Sequence, residues 1–534
     1  MSERWEEVCR LEDIVPNTGV CALVGAGQVA VFRLDDDSLY ALDNRDPFSG
    51  ANVLSRGIVG DLKGELVVAS PVYKQHFSLA TGQCLEDPEV RVATHAVRLE
   101  GDVVRVAAPE AAAVTPLRPP TPAAKPRLVI AGNGMAGVRA LEELLKLAPD
   151  RYEIIVFGAE PHGNYNRILL SPVLAGEKTL ADIMTHTPQW YAERGTTLHA
   201  GDPVVRIDRA RCEVVSRSGR VVPYDRLLLA TGSKPFRIPL PGADLPGVTV
   251  FREIADVEAM LEASRRSGRA VVIGGGLLGL EAAYGLKRRG MDVTVVHLVD
   301  RLMDRQLDAA AAALLRAHLE ASGIRVLLKA QSQAILGAER ERDGRPRARG
   351  LLLKDGRELP ADLIVMAAGV VPNCELAKSA GLSCERGILV DDTLQTYDPR
   401  IYAVGECVQH RKTTYGLVAP LWEQARVCAN HLAGHGIGSY RGSVLATRLK
   451  VTGIELFSAG DFAGGEGTRE VVYDDAKRGI YKRLVLREDR LVGAVLYGDA
   501  ADGGWYLDLI RSGSLVSAYG ERLVFGQRYA AQAA

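Results

Sequence analysis

Between Arg127 and Leu145 the chain reads RLVIAGNGMAGVRALEELL, and its chemistry lies in its glycines. Gly132, Gly134 and Gly137 stand in G-x-G-x-x-G spacing, with Asn133, Met135 and Ala136 between them. An apolar run precedes them and a helical pattern follows. In such a strand–turn–helix, Gly132 permits the tight turn and Gly134 lets the backbone approach a pyrophosphate. Gly137 lets helix and strand pack closely. The pyrophosphate would rest on the free N–H groups where the helix opens. Alone, the pattern also fits a glycine turn in some other α/β protein. The chain repeats it, however, at Gly274, Gly276 and Gly279, with Leu278 inside the second turn.

Other residues that could do chemistry are placed around these two turns. The strand after the first helix runs EIIVFGAE and ends in Glu160, about 20 residues on, where a carboxylate accepts from ribose hydroxyls. A solvated acid at a strand end is the plainer alternative. Between the turns lies LLLATG, with Ala230, Thr231 and Gly232 closing a β run. Glu281 follows Gly279 in the first helical turn, a place that the helix dipole alone favours for an acid. The second fold's acid position holds His297, followed by Arg301 and Arg305. A missing carboxylate with cations nearby permits a 2′-phosphate, so NADH and NADPH both stay open.

These turns need parallel-sheet folds to hold them, and the chain is long enough. Its 534 residues suggest about three or four domains. A net charge of −1 without long charged blocks points to neither nucleic acid nor an anionic membrane. No apolar run approaches the ~20 residues of a membrane span. The opening MSERWEEVCRLEDI shows no signal-peptide core, so a reducing cytoplasm is expected. Eight scattered cysteines without a C-x-x-C pair argue against a disulfide framework, an iron–sulfur site or a zinc site, and no metal ligands are expected.

From Trp5 to Val106 short strands alternate with turn residues, which suggests an antiparallel sandwich or small barrel. ALDNRDPFSGANVLSRG and VVASPVYKQHFSLATGQCL resemble the two ligand loops of Rieske-type [2Fe–2S] domains. Such loops need C-x-H and C-x-x-H. The four ligand positions here are Asp46, Phe48, Ser70 and Tyr73, a set that offers no soft thiolate. The domain is therefore expected to hold no cluster. His76 nearby is read as surface or structural. The Ala/Pro-rich stretch at 108–126 reads as a semi-rigid linker.

Glu160, Tyr165, Arg167, Leu170 and Ser171 resemble the E-x(4)-Y-x-R-x-x-L-S run of the bacterial NAD(P)H nitrite reductase large subunit and related flavin reductases. A Rieske-like domain without its ligands is likewise similar to that family's small subunit. The resemblance implies a multidomain fold: an all-β Rieske-like domain, 1–107, then a two-dinucleotide α/β flavoprotein. The FAD-binding domain would span 127–247 and 372–434, and the NAD(P)-binding domain 248–371. A small α/β C-terminal domain, 435–534, would cover the flavin or form a homodimer surface.

The same resemblance implies roles. The first glycine turn, Glu160, Tyr165, Ser171 and the ATG turn would hold FAD, with Val204 near the adenine. Arg167 would be a cation near the flavin's phosphates or ring. Related ferredoxin reductases carry lysine after the serine, where this chain has Pro172. The second turn, Glu281, His297, Ala368 and Gly369 would serve the nicotinamide nucleotide. Gly405-Glu406 takes the place of the usual Gly-Asp that holds the ribityl chain. Trp422 would neighbour the ring, and Cys407 is read as packing. No catalytic acid or base is expected.

The implied activity is electron transfer from NAD(P)H through FAD to an iron–sulfur partner of nitrite or nitrate assimilation. The large subunit's iron–sulfur and sirohaem domains are not expected here. Alternatives are a ferredoxin or rubredoxin reductase of another pathway, or a non-catalytic FAD scaffold with the N-terminal domain as docking module.

Overall fold

Alternating apolar residues make an antiparallel hairpin of Thr18–Val24 and Gly27–Arg33, in register from Thr18 opposite Arg33 to Val24 opposite Gly27. Leu39–Asp43 and Thr94–His95 extend it to four strands, and two three-stranded sheets complete an all-β unit. Phe32, Leu42, Leu54, Val68 and Phe77 are fully buried at its centre. Each such side chain contributes about 1.5–3 kcal/mol.

This computed structural model describes residues 5–25, 27–62, 64–108, 125–266, 268–338, 346–451 and 453–530. The chain forms two units, Met1–Ala124 and Lys125–Ala534. The linker expected at 108–126 lies outside the described residues from 109 to 124.

In the second unit, continuous apolar runs form parallel strands that are buried on both faces, as a covered parallel sheet requires. Glu153–Phe157 and Arg226–Leu229 flank Arg127–Ala131, with Thr196–His199 and Ile401–Ala403 at the edges. A second parallel sheet is built around Arg269–Ile273, between Leu363–Met366 and Asp292–Val296. Val248–Val250 and Arg325–Leu327 close its edges. The second fold is an insertion in the first. Its outgoing strand, Ser233–Pro235, pairs antiparallel with its returning strand, Val370–Pro372.

A five-stranded antiparallel sheet, from Ala446–Val451 to Arg490–Tyr497, follows, with the helix Gly503–Ser512 packed on it. Tyr481 anchors this sheet to the nucleotide fold by donating its hydroxyl to Asp308 at 2.8 Å.

Candidate functional site: a cavity between two glycine turns

The two glycine turns have matching geometry. Gly132 has φ +126°, and a Cβ there would stand 2.1 Å from the carbonyl oxygen of Ala230. Gly274 has φ +128°, with the carbonyl oxygen of Ala367 2.3 Å from the same imaginary atom. Neither position admits a side chain. Gly134 and Gly276 are the N-caps of the helices Met135–Leu147 and Leu277–Arg288, and neither helix start is capped by a side chain. Each leaves backbone N–H groups available to an anion. Gly137 and Gly279 pack against the carbonyl oxygens of Gly132 and Gly274, which brings each helix close to its strand.

A cavity of about 930 Å³ opens beside the first turn. Gly132, Gly134, Met135 and Ala136 line it, together with Glu160, Tyr165, Arg167 and Ser171. Val204, Ala230, Thr231, Gly232 and Glu406 join them, and Leu278 and Glu281 enter from the second fold. The start of the helix Val418–Leu432 and Thr447 and Arg448 of the C-terminal sheet complete the wall. Asn133 holds the turn in shape. Its side-chain oxygen accepts from the Tyr191 hydroxyl at 2.6 Å, and its carbonyl from Asn164 at 2.9 Å.

Two carboxylates in this cavity are paired with arginines. Glu160 accepts from Arg167 at 2.7 Å and from the Tyr165 hydroxyl at 2.8 Å. Burial pushes the Tyr165 phenol up, so it stays a hydrogen-bond donor. Glu406 accepts from Arg252 and, at 2.8 Å, from the Ser233 hydroxyl. Arg167 also donates to the carbonyl of Arg252 at 2.7 Å, which joins the two pairs in one chain.

Across the junction of the folds, Ser171 donates its hydroxyl to Glu281 at 2.5 Å. Burial raises the Glu281 carboxyl to about 7, against the lowering effect of that hydrogen bond.

Arg167 lines the cavity with its guanidinium paired to Glu160 at 2.7 Å. Trp422 does not line the cavity; it is 43% exposed, with the Arg139 guanidinium 5.7 Å from its ring centroid. His297 turns its ring under the second glycine turn, where Nδ1 accepts from the Gly275 N–H at 3.0 Å. Its other ring nitrogen, Nε2, lies 3.4 Å from Asp304. Gly405, expected at the flavin, lies outside the cavity lining, and so do Ala368, Gly369 and the second turn's glycines, which were expected at the nicotinamide nucleotide instead. Cys407 is fully buried, and burial pushes its thiol up.

Arg252 and Ser233 were not anticipated. Arg252 follows the strand Val248–Val250, at the carboxyl end of a parallel sheet, where open α/β folds place ligand contacts. That position was the one available signal.

In the N-terminal unit, the loops that resemble Rieske ligand loops are joined without a metal. Ser70 donates to Asp46 at 2.5 Å, and Asp46 also accepts from the N–H groups of Phe48 and Ser49 at 2.8 and 3.2 Å. Asp46 and Ser70 are both fully buried. Phe48 packs toward Phe77, and Tyr73 is 40% exposed. These residues do not fit a [2Fe–2S] cluster, because the one carboxylate is already satisfied and no thiolate or second ligand set faces it. His76 is engaged by Glu86 at 2.5 Å.

The chain belongs to the pyridine nucleotide-disulphide oxidoreductase family, whose model matches residues 126–430. It is thus an NAD(P)H oxidoreductase of a family that uses FAD, and the uncapped first helix, the open Gly134 and the cavity beside them fit that cofactor. A Rieske-like [2Fe-2S] domain model matches residues 4–107, and a rubredoxin NAD+ reductase C-terminal domain model residues 446–514.

Among particular proteins, the chain is 50% identical over 393 residues to a nitrite reductase [NAD(P)H] of Bacillus subtilis, covering 74% of this chain and 48% of that one. It is 48% identical over 384 residues to the assimilatory nitrate reductase electron transfer subunit of the same organism, covering 72% and 49%. The chain therefore spans about half the length of these relatives. Among solved structures, the covalent putidaredoxin reductase–putidaredoxin complex matches with a TM-score of 0.68 and 27% identity, over 77% of this chain and 99% of that one.

Proposed function

We propose that this chain is the electron-transfer component of an assimilatory nitrite or nitrate reducing system. Bound FAD would supply the hydride acceptor for NAD(P)H and the single-electron donor to an iron–sulfur partner. The observation that carries this reading is the cavity itself. The first glycine turn opens into it, and Leu278 and Glu281 of the second fold form part of its wall. That arrangement suits two dinucleotides meeting end to end.

The protein's own contribution is placement. The first helix start would hold the pyrophosphate, Glu160 would offer its remaining lone pairs to the ribose, and Glu406 would do so to the ribityl chain. Ser171 and Glu281 sit where the two folds meet and would help place the nicotinamide. The run from Tyr165 to Ser171 contains no cysteine, so electrons leave for an external acceptor. The two Bacillus relatives and the reductase captured with putidaredoxin support that direction. Among the described residues no helix is long and apolar enough to cross a membrane, and we assign the cytoplasm as the compartment.

Anaerobic stopped-flow mixing tests the reading. NADH or NADPH should bleach the bound flavin on a catalytic timescale, and a ferredoxin or rubredoxin should reoxidise it. A flavin that neither nucleotide bleaches ends the proposal.

A further inference from the structure

Asn133 stands between the first two glycines of the flavin turn, and it lines a cavity that must receive an anionic diphosphate. Its side-chain amide carries an acceptor at one end and a donor at the other. An amide oxygen turned toward the anion would repel it, and the repulsion strengthens as water is excluded. The amide nitrogen turned the same way would not. The orientation of this one side chain therefore bears on the affinity of the turn.

Tyr191 fixes that orientation from behind. Its side chain is fully buried in the short helix Pro188–Ala192, with the Trp190 ring edge-on at 5.0 Å. Its hydroxyl donates to Asn133 Oδ1 at 2.6 Å, and Asn133 Nδ2 donates to the His162 carbonyl at 3.4 Å. Reversing the amide would set its oxygen against the His162 carbonyl oxygen, so one orientation alone suits both neighbours. Burial pushes the Tyr191 phenol up, which keeps it a donor. The main-chain carbonyl of Asn133 accepts from Asn164 at 2.9 Å. Both acceptor oxygens of Asn133 are thus drawn toward donors of the segment 164–191.

We propose that Tyr191 is a positioning residue of the flavin turn, acting through Asn133 to keep an amide oxygen out of the diphosphate site. FAD affinity then depends on a hydroxyl that does not itself line the cavity. This rests on the reading of the cavity as the FAD site.

The test is FAD binding to apoprotein prepared from the full-length holoenzyme, followed by the quenching of flavin fluorescence. Tyr191→Phe keeps the ring but releases the amide, and it should raise the Kd for FAD roughly 10-fold. Asn133→Ala has no oxygen to misplace and should raise it less, by about threefold. Asn133→Ala/Tyr191→Phe should then bind like Asn133→Ala, so that the second substitution rescues the first. A tyrosine that only supported the fold would give additive losses. Far-UV circular dichroism and thermal melts of the apoproteins control for folding. If Tyr191→Phe does not fold, Asn133→Asp carries the comparison, because its second carboxylate oxygen replaces the amide nitrogen. It should bind FAD more weakly than Asn133→Ala, with a deficit that shrinks as the pH falls and the carboxylate is protonated. The proposal is overturned if Tyr191→Phe binds FAD as the unmutated protein does, if the double variant binds no better than Tyr191→Phe, or if Asn133→Asp matches Asn133→Ala. An unmutated apoprotein that takes up no FAD would instead overturn the reading of the cavity.

Discussion

Ser171 and Glu281 come from different dinucleotide folds and meet through a 2.5 Å hydrogen bond at the cavity wall. Pro172 stands where related ferredoxin reductases have a lysine, and among the described residues no cation is paired with the carboxyl. Burial therefore holds it near 7. Glu281 is neutral below that pH and ionised above it. The rate of flavin reduction by NADH should step near pH 7, and Glu281→Gln should remove the step. Ser171→Ala deletes an interaction that lowers the carboxyl, so its step should move to higher pH. Stopped-flow rates from pH 5.5 to 8.5 decide it; a step unmoved in both variants sinks the assignment.

Asp46 offers its carboxylate to one hydroxyl and two backbone N–H groups, all buried or half-buried. Asp46→Ala leaves these donors without a partner, at about 1–3 kcal/mol each. Calorimetry of this unit's transition should show a loss of about 12 °C or more. Purified protein should carry flavin without stoichiometric iron. A Rieske-type EPR signal on reduction would show that Asp46, Phe48, Ser70 and Tyr73 do hold a cluster.

At Gly132, alanine meets both a positive φ and a backbone carbonyl 2.1 Å away. Gly132→Ala should cost about 1–3 kcal/mol in strain and lose most bound flavin. Gly134→Ala has nothing within 4 Å of the new methyl group except what the cavity admits. It should fold normally and bind FAD weakly. Thermal melts and flavin content of both variants separate the two effects.

His297 supports the Gly275 N–H, so His297→Ala should weaken NADH and NADPH to a similar degree. The ratio of the two kcat/KM values measures this. A change of the ratio beyond about tenfold, 1.4 kcal/mol, would return the ring to the specificity site.

Glycine turns and buried parallel strands were legible because both are written locally, in spacing and in apolar runs. Gly132 and Gly274 fall where the motif put them, with positive φ. The pairing of Arg252 with Glu406 joins positions far apart in the chain, and no local pattern records it. Trp422 misled for a related reason. It lies on the helix Val418–Leu432, where helix phase decides which face meets the cavity, and Leu421 takes the inward place while Trp422 faces out. The small antiparallel sheet of Ser332–Gly337, Ala348–Leu353 and Glu358–Pro360 escaped notice because its strands are short and broken by turns.

The insertion of one fold into the other also orders events during synthesis. Arg226–Leu229 waits for its parallel neighbour Ile401–Ala403, which lies beyond the whole nicotinamide fold. Until that segment leaves the ribosome, the flavin sheet keeps an apolar edge strand unpaired. The inserted fold has its partners close at hand and can finish first. Flavin capture is then among the last steps of maturation, and the nascent chain is most prone to aggregation just before it.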